Sequence, residues 1–264
     1  VAVGHSALRN NTTGAGNIGV GQYTLYDNET GASNVAVGAF ALNNNATANN
    51  NVAIGRNSML VNTTGTDNVA IGAYTLDANT TASSNTAIGK NALTANTTGP
   101  ENTAIGDAVL DANTTGAYNT ATGRNALGNN TTANNNVAFG HSALAANTTG
   151  TQNVAVGTTT LDANTTANNN SAIGYQALGA NTTGENNTSL GSFALLSNTT
   201  ASNNTAIGKD ALLLNTTGTR NTAVGVAALD ANTTADHNTA LGAFTLTSNI
   251  TGDSNTAVGS SALE

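Results

Sequence analysis

The sequence lacks most of the residue types on which enzymes and nucleic-acid-binding proteins depend. It has no Cys, no Trp, one Pro, and only six Lys and Arg residues in a chain of 264. Without Cys, disulfides, thiolate nucleophiles and Cys-based zinc sites are excluded. Fourteen acidic residues outnumber these basic residues, which gives the chain a formal net charge of −8. This balance excludes a surface that neutralises nucleic-acid phosphates, so we expect no nucleic-acid partner.

Aromatic residues, charges and long apolar runs are scarce as well. Aromatic residues make up 3% of the chain and charged residues 8%, well below the usage of an average globular domain. The low charge is also unlike that of a disordered chain. No apolar run approaches the roughly 18–20 residues that span a bilayer. We therefore expect neither a broad core of large side chains nor membrane insertion in this segment.

The chain instead consists of one 17-residue repeat from end to end. Fifteen complete units cover 255 residues, and a partial unit covers residues 256–264. With Val1 as position 1 of the first unit, position 4 is always Gly and position 8 is Leu except at Met59. Positions 11 and 17 are always Asn, and position 13 is always Thr. The register has no insertion or deletion, which predicts a single continuous array, residues 1–264, whose equivalent residues stack on one another.

This period favours a β-solenoid. Seventeen residues are too few for a helical-pair repeat of about 33–47 residues but suffice for one coil. β-Branched residues at positions 1 and 3 are typical of a strand, and Asn, Gly and Thr at positions 11–17 are typical of a turn. We predict an all-β parallel β-solenoid, or β-roll, of about 15.5 coils. At a spacing of roughly 4.8 Å it would form a rod about 75 Å long. Each coil would contain two strands, such as residues 86–89 and 91–94.

Alternation along a strand predicts which side chains share a face. Positions 1, 3 and 8 are expected to point inward, and the predicted structural core includes Ile88, Leu93, Ile105, Leu110, Ile207 and Leu212. Positions 2 and 4 would then form a smooth outer strip of Ala and Gly on which a second chain packs. This predicts an inter-chain face at Ala87, Gly89, Ala104 and Gly106. In the alternative interpretation, Ala fills a narrow interior and the larger residues point outward. Gly at position 4 is expected to adopt an unusual backbone angle or to allow a close backbone approach.

The invariant polar columns predict ladders of stacked side chains, as in cross-β amide stacks. The expected ladder residues are Asn79, Asn96, Asn113, Thr81, Thr98, Thr115, Asn85, Asn102 and Asn119. Position 11 also matches the Asn-x-Thr glycosylation motif in all fifteen units, although a ladder explains the same pattern more simply. Positions 5, 6, 9, 15 and 16 vary and are expected to face solvent. Exposed contacts are predicted at Tyr23, Phe40, Tyr74, Phe193 and Phe244.

Motifs that could bind a cofactor are weak. Gly14, Gly16 and Gly19 match GxGxxG, but the repeat supplies no helix to bind a phosphate. His5 and His141 lie eight repeats apart, too far to share a metal. Like His237, they occupy variable columns, as expected of solvated residues. We predict no cofactor.

Repeated acidic residues do not make a convincing metal or catalytic site either. An Asp-Ala-Asn-Thr sequence recurs at four places and suggests calcium, but the Gly and distal Glu of an EF-hand loop are missing. Turn formation explains these residues better. No Ser, His and Asp residues recur together, so we predict no metal site, no catalytic residue and no enzymatic activity.

Three runs suggest a family. Residues 85–89, 102–106 and 204–208 each read NTAIG and resemble the NSVAIG motif of YadA-like heads in trimeric autotransporter adhesins. Similar repeats occur in phage tail fibres. The resemblance implies a left-handed parallel β-roll that trimerises, adheres to an unidentified host or matrix ligand, and lies outside the cell, at the cell surface or in a virion fibre. The array begins and ends within the repeat pattern, so we expect it to be a segment of a longer protein.

The sequence therefore predicts a structural or adhesive extracellular fibre segment that acts as a rigid spacer, assembles as a homotrimer and has no catalytic role. Two alternatives remain open. Open solenoid ends can pair with further strands, which would produce a filament growing end to end. Regular Thr and Asn columns on a flat face would instead suit an ice-binding β-solenoid.

Overall fold

The computed structural model describes residues 1–264 and contains strands and turns but no helix. Each of the sixteen repeats contributes one strand, and equivalent residues of paired strands are 17 apart, as in the pairing of Ala87 with Ala104. All pairings are parallel. The predicted all-β parallel β-solenoid with 17 residues per coil is therefore confirmed. The chain divides into two compact units, Val1–Asn134 and Asn135–Glu264.

The first unit contains eight strands that pair in chain order. They are β1 Ala2–Val3, β2 Ile18–Val20, β3 Val35–Val37, β4 Val52–Ile54, β5 Val69–Ile71, β6 Thr86–Ile88, β7 Thr103–Ile105 and β8 Thr120–Thr122. Pairing in sequence order follows from the repeat, because each coil returns the chain directly above its own start.

The second unit repeats this arrangement. Its strands are β9 Val137–Phe139, β10 Val154–Val156, β11 Ser171–Ile173, β12 Thr188–Leu190, β13 Thr205–Ile207, β14 Thr222–Val224, β15 Thr239–Leu241 and β16 Thr256–Val258. All but β1 have three residues, which covers positions 1 to 3 of the repeat.

The predicted assignment of strand faces was wrong, and the alternative holds. Ala87 and Ala104 are completely buried, whereas Ile88 and Ile105 are 37% and 39% exposed. Ile207 is also partly exposed. The Ile residues therefore do not belong to the core, and the Ala residues cannot form an inter-chain face because they already line the interior of their own coil.

The narrow interior explains this reversal. Position 2 is Gly only at Gly19 in β2; a Cβ atom built there would lie 3.5 Å from Cγ of Leu8. The same Cβ would lie 2.9 Å from Oγ1 of Thr24 in its own coil. A position-2 side chain thus faces position 7 of its own coil and the position-8 Leu of the preceding coil, and a small side chain fills the gap. The predicted core residues Leu93, Leu110 and Leu212 are indeed fully buried. A β-branched residue at position 2 would overfill this space.

The second predicted strand is absent, and residues 91–94 form a turn. Asn91 and Leu93 adopt left-handed φ values of 56° and 53°. The Asn91 amide donates to the Ala73 carbonyl of the preceding coil, whereas the Leu93 amide donates to the Val109 carbonyl of the following coil. This alternation keeps the coils stacked but prevents an extended ladder. The left-handed conformation costs about 1–2 kcal/mol per residue, which burial of a Leu, worth about 1.5–3 kcal/mol, offsets.

Gly at position 4 has a backbone role. Gly89 and Gly106 have φ values of 131° and 137°, in a region that side chains disfavour. A Cβ atom on Gly4 would lie 2.5 Å from the carbonyl oxygen of Gly21 in the next coil. The expected backbone role of this Gly is therefore observed, and the inter-chain role of Gly89 and Gly106 stays a prediction.

The face assignment predicts opposite sensitivities at two neighbouring residues. Ala104→Leu overpacks the interior and should lower the free energy of unfolding by about 1–3 kcal/mol. Ile105→Thr, which introduces the residue found at Thr122, should change it by less than about 0.5 kcal/mol. Urea unfolding followed by circular dichroism measures both variants. Equal destabilisation would contradict the assignment.

Candidate functional site

The described residues form no enclosed site. The structure has no cavity that would surround a ligand and no group of three His, Cys, Asp or Glu side chains placed to hold a metal ion. It also has no helix of the length and apolar character that crossing a membrane requires. The candidate sites are therefore surface features and the polar columns beneath them.

The glycine motif does not form a phosphate cradle. Gly14 and Gly16 lie in a turn, and Gly19 lies within strand β2. The chain continues from β2 into another turn rather than a helix. The motif therefore lacks the helix N-terminus that binds phosphate in dinucleotide-binding folds.

The position-11 Asn residues form the first ladder, which lies inside the coils. Nδ2 of Asn96 donates to Oδ1 of Asn79 at 3.3 Å and to the Gly99 carbonyl at 3.0 Å. In the next coil, Nδ2 of Asn113 donates to Oδ1 of Asn96 at 2.9 Å. All three side chains are completely buried. Each amide thus connects its own turn to the preceding coil.

The position-17 Asn residues form a second buried ladder just before each strand. Oδ1 of Asn85 accepts hydrogen bonds from the backbone amide and Nδ2 of Asn102 at 2.9 and 3.3 Å. Oδ1 of Asn102 accepts the same two bonds from Asn119. Nδ2 of Asn102 also reaches the Gly116 carbonyl at 2.8 Å in the following coil. This column ties three successive coils together.

The predicted Thr ladder lies one residue away from its expected position. Thr81, Thr98 and Thr115 are exposed, and their hydroxyls make no hydrogen bond within the protein. The neighbouring position 12 bonds instead: Oγ1 of Thr80 donates to the Thr97 carbonyl at 3.1 Å, as does Oγ1 of Thr97 to the carbonyl of Thr114. The prediction at position 13 was wrong because these side chains point to solvent.

The side chains at positions 1 and 3 form what we call the outer sheet face of each unit. No strand contains a charged residue, so this face is uncharged in both units. Many of its large apolar side chains are exposed, whereas monomeric proteins rarely expose extended apolar patches. The exposed members are Val1, Val3, Ile18, Val20, Ile54, Ile88, Ile105, Phe139, Ile173, Leu190, Leu241 and Val258.

The predicted aromatic contacts are less exposed than expected, because aromatic rings on adjacent coils pack together. Tyr23 and Phe40 stack with ring centroids 5.3 Å apart, and both are half-buried. Tyr26 packs edge-on against Tyr23, and the guanidinium of Arg9 lies over Tyr26. Tyr74 and Phe193 are also half-buried, so the prediction of exposure holds only for Phe244. Arg9 and Tyr26, which both occupy position 9, were not among the predicted contacts.

The His residues do not converge on a common site. His5, His141 and His237 are exposed and lie on different coils. His5 packs edge-on against the ring of Tyr23 at 5.2 Å. No arrangement of a nucleophile and a base surrounds any of them.

The aspartates at position 9 are partly desolvated. Burial raises the pKa of Asp77, Asp111, Asp162 and Asp230, while hydrogen bonds from the backbone partly oppose this shift. Oδ1 of Asp230 is buried without a hydrogen-bond partner. At the same position, Nδ2 of Asn43 donates to the Tyr23 carbonyl at 2.9 Å. An ionised carboxylate cannot make this bond because it has no proton to donate.

The chain matches no protein-family model, no curated protein and no solved structure. The similarity to YadA-like heads therefore depends on the repeat motif itself.

The second Asn ladder predicts a large loss of stability for a small truncation. Asn102→Ala would remove the Oδ1 acceptor of the buried Asn119 backbone amide, and a buried unsatisfied group costs about 1–3 kcal/mol. Thr98→Ala, at an exposed hydroxyl, should have little effect. Thermal unfolding compares the two variants. A midpoint for Asn102→Ala equal to that of Thr98→Ala would show that the ladder contributes nothing.

The position-9 carboxylates predict a pH-dependent gain from one substitution. The folded-state pKa of Asp230 lies above its usual 3.8, so ionisation lowers stability as pH rises through the folded pKa. Asp230→Asn supplies a permanent donor, as at Asn43, and should raise the free energy of unfolding at neutral pH. The gain should disappear below pH 3.8, where the aspartate is protonated in both states.

Urea unfolding at neutral pH and again below pH 3.8 measures this difference. The substitution Glu101→Gln, at an exposed carboxylate, is the control. A gain for Asp230→Asn that is the same at both pH values would contradict the role of carboxylate ionisation.

Proposed function

We propose that this chain is a structural segment of an extracellular fibre, acting as a spacer or adhesive shaft, and that copies of it associate through the outer sheet face. The observation that carries the proposal is the uncharged, partly apolar surface formed by positions 1 and 3. Ile88 and Ile105 expose more than a third of their surface there, and burial of such side chains is the main driving force for protein association.

The internal construction of each coil supports a mechanical role. Leu93 and Leu110 are buried in successive coils, and the Asn amides bond from coil to coil. Separating neighbouring coils would leave these buried amides without partners, and this makes separation costly. A segment with these properties maintains spacing and presents side chains without chemistry of its own.

Homotrimeric assembly is part of this proposal and is supported by the resemblance to trimeric adhesins. The strip of Ala87 and Ala104, first expected to form the interface, lies inside the coil. We therefore place the contact between copies at positions 1 and 3, on the opposite side of each strand. The variable side chains outside this face, such as Phe244, remain available for an adhesive contact with a host or matrix surface.

Ice binding is the second candidate, and one observation favours it. Strands β12 to β16 each begin with Thr on the outer sheet face, at Thr188, Thr205, Thr222, Thr239 and Thr256. This uncharged Thr column on a sheet fits ice binding better than the turn, where Thr80 and Thr97 use their hydroxyls within the protein. The ice-binding proposal requires the face to be free, and therefore a monomer.

Light scattering in solution distinguishes these possibilities. Each chain has a mass of 26.0 kDa, and we expect three chains in the assembly. The combined substitutions Ile88→Glu, Ile105→Glu and Ile207→Glu should dissociate it, because an interface would bury unpaired carboxylates. Thr98→Glu, on the exposed turn, is the matched control and should leave the mass unchanged.

Other masses would favour other functions. A monomer that shapes growing ice crystals would support ice binding, and mass that grows without limit would support end-to-end filaments. Retention of the trimer by the triple variant would show that the outer sheet face is not the interface.

A further inference from the structure

The structure separates the Asn-x-Ser/Thr motifs of this chain into buried and exposed classes. We propose that the folded protein accepts N-linked sugar at Asn169, Asn186 and Asn203, and that its invariant position-11 Asn residues do not. The three acceptors occupy position 16 of successive repeats and are followed by a hydroxyl residue at position 1 of the next repeat. The proposal concerns the folded single chain before association, because the proposed contact between copies would cover the hydroxyls at position 1.

The position-11 motifs cannot accept sugar because the Asn Nδ2, the atom that would react, already donates hydrogen bonds inside the coil. Asn181 is completely buried, and its Nδ2 donates to Oδ1 of Asn164 at 3.1 Å and to the Gly184 carbonyl at 2.9 Å. Thr183, which completes the motif, is exposed. The amide and the hydroxyl that a transferase must engage together therefore lie on opposite sides of the chain.

The position-16 motifs place both groups outside. Asn186 and Thr188 are exposed, while Asn187 between them is buried. Nδ2 of Asn187 donates to the Ala201 carbonyl at 2.9 Å, whereas the Asn186 side chain makes no hydrogen bond within the protein. The Asn186 backbone has a φ of 58°, and its N–H donates a hydrogen bond to the Asn168 carbonyl. The geometry thus presents a free amide and a hydroxyl on the same side.

An overlapping motif provides an internal control. Asn187, Thr188 and Ser189 also form an Asn-x-Ser sequence, shifted by one residue. Asn187 is fully buried, Ser189 is 1% exposed, and Oγ of Ser189 donates to the Ala194 carbonyl at 2.8 Å. Modification should therefore discriminate between two adjacent Asn residues.

Two further motifs begin at position 10 and are not included. At the first, Nδ2 of Asn10 donates to Oδ1 of Asp27 at 3.0 Å, and Oγ1 of Thr12 donates to the Glu29 carbonyl at 2.8 Å. Both groups of the motif are occupied. At the second, which begins at Asn129, the hydroxyl residue Thr131 is not free either.

The transfer itself requires an activated sugar and a transferase. With a nucleoside diphosphate hexose, Nδ2 forms a bond to C1 of the sugar, the C1–O bond to the diphosphate breaks, and the nucleoside diphosphate leaves. The amide proton passes to a base of the enzyme. Successive coils lie about 4.8 Å apart, which is too close for sugars on adjacent acceptors. Asn186 therefore competes with Asn169 and Asn203, and each chain should carry one or two sugars.

The test treats the folded monomer, kept dissociated by the Ile88→Glu, Ile105→Glu and Ile207→Glu substitutions, with a soluble N-glycosyltransferase and nucleoside diphosphate glucose. Intact mass and peptide fragmentation then locate the hexose. Hexose is expected on Asn169, Asn186 or Asn203 and on no position-11 Asn. In a second sample, the protein is unfolded in urea, digested to fragments that cannot refold, and freed of urea. The position-11 Asn residues of these fragments should become acceptors. A synthetic peptide of residues 183–190 is the positive control, since its modification shows that the enzyme recognises the local sequence.

Variants locate the acceptors. The combined substitutions Ser171→Ala, Thr188→Ala and Thr205→Ala should abolish modification of the native protein, whereas Thr183→Ala should leave it unchanged. Hexose on Asn187 or on any position-11 Asn of the native protein would overturn the proposal. So would an unmodified native protein under conditions in which the peptide is modified.

Discussion

The structure depends on buried Asn amides that bond to neighbouring coils as well as to their own turn. A buried amide without a partner costs stability, whereas a satisfied one contributes modestly. Asn96 and Asn102 satisfy this requirement through residues 17 positions away. A repeat longer or shorter by one residue would move the donors away from their acceptors. The constant repeat length is therefore the consequence of polar bonding inside the coils.

The width of the coil interior is the second constraint. Only a small side chain, Ala or the buried Ser189, fits between the strand and the position-8 Leu, so Ala104 lies inside and Ile105 outside. The same limit brings apolar side chains to the surface of each unit. The surface on which the proposed self-association depends is thus a product of core packing, because the larger residues of the strand have no interior position available.

The polar columns also determine which chemistry the surface can offer. The amide of Asn181 stabilises the coil and is unavailable for modification, whereas Asn186 has the same side chain on the outside. Thr97 bonds to the following coil, but its neighbour Thr98 has a free hydroxyl. Identical residue types therefore differ in accessibility according to their position in the coil, and a sequence motif alone does not identify an accessible group.

By itself, the sequence determined the period, the solenoid class, the backbone role of Gly at position 4, the burial of Leu93 and the two Asn columns. These features follow from strict repetition and from residue chemistry that suits only one environment. The tertiary structure decided which face of Ala104 and Ile105 is inside, and it replaced the second strand by a turn at Asn91 and Leu93. Alternation of side chains along a strand defines two faces but does not determine which of them is buried. Only closure of the coil sets the interior width that selects the smaller residue.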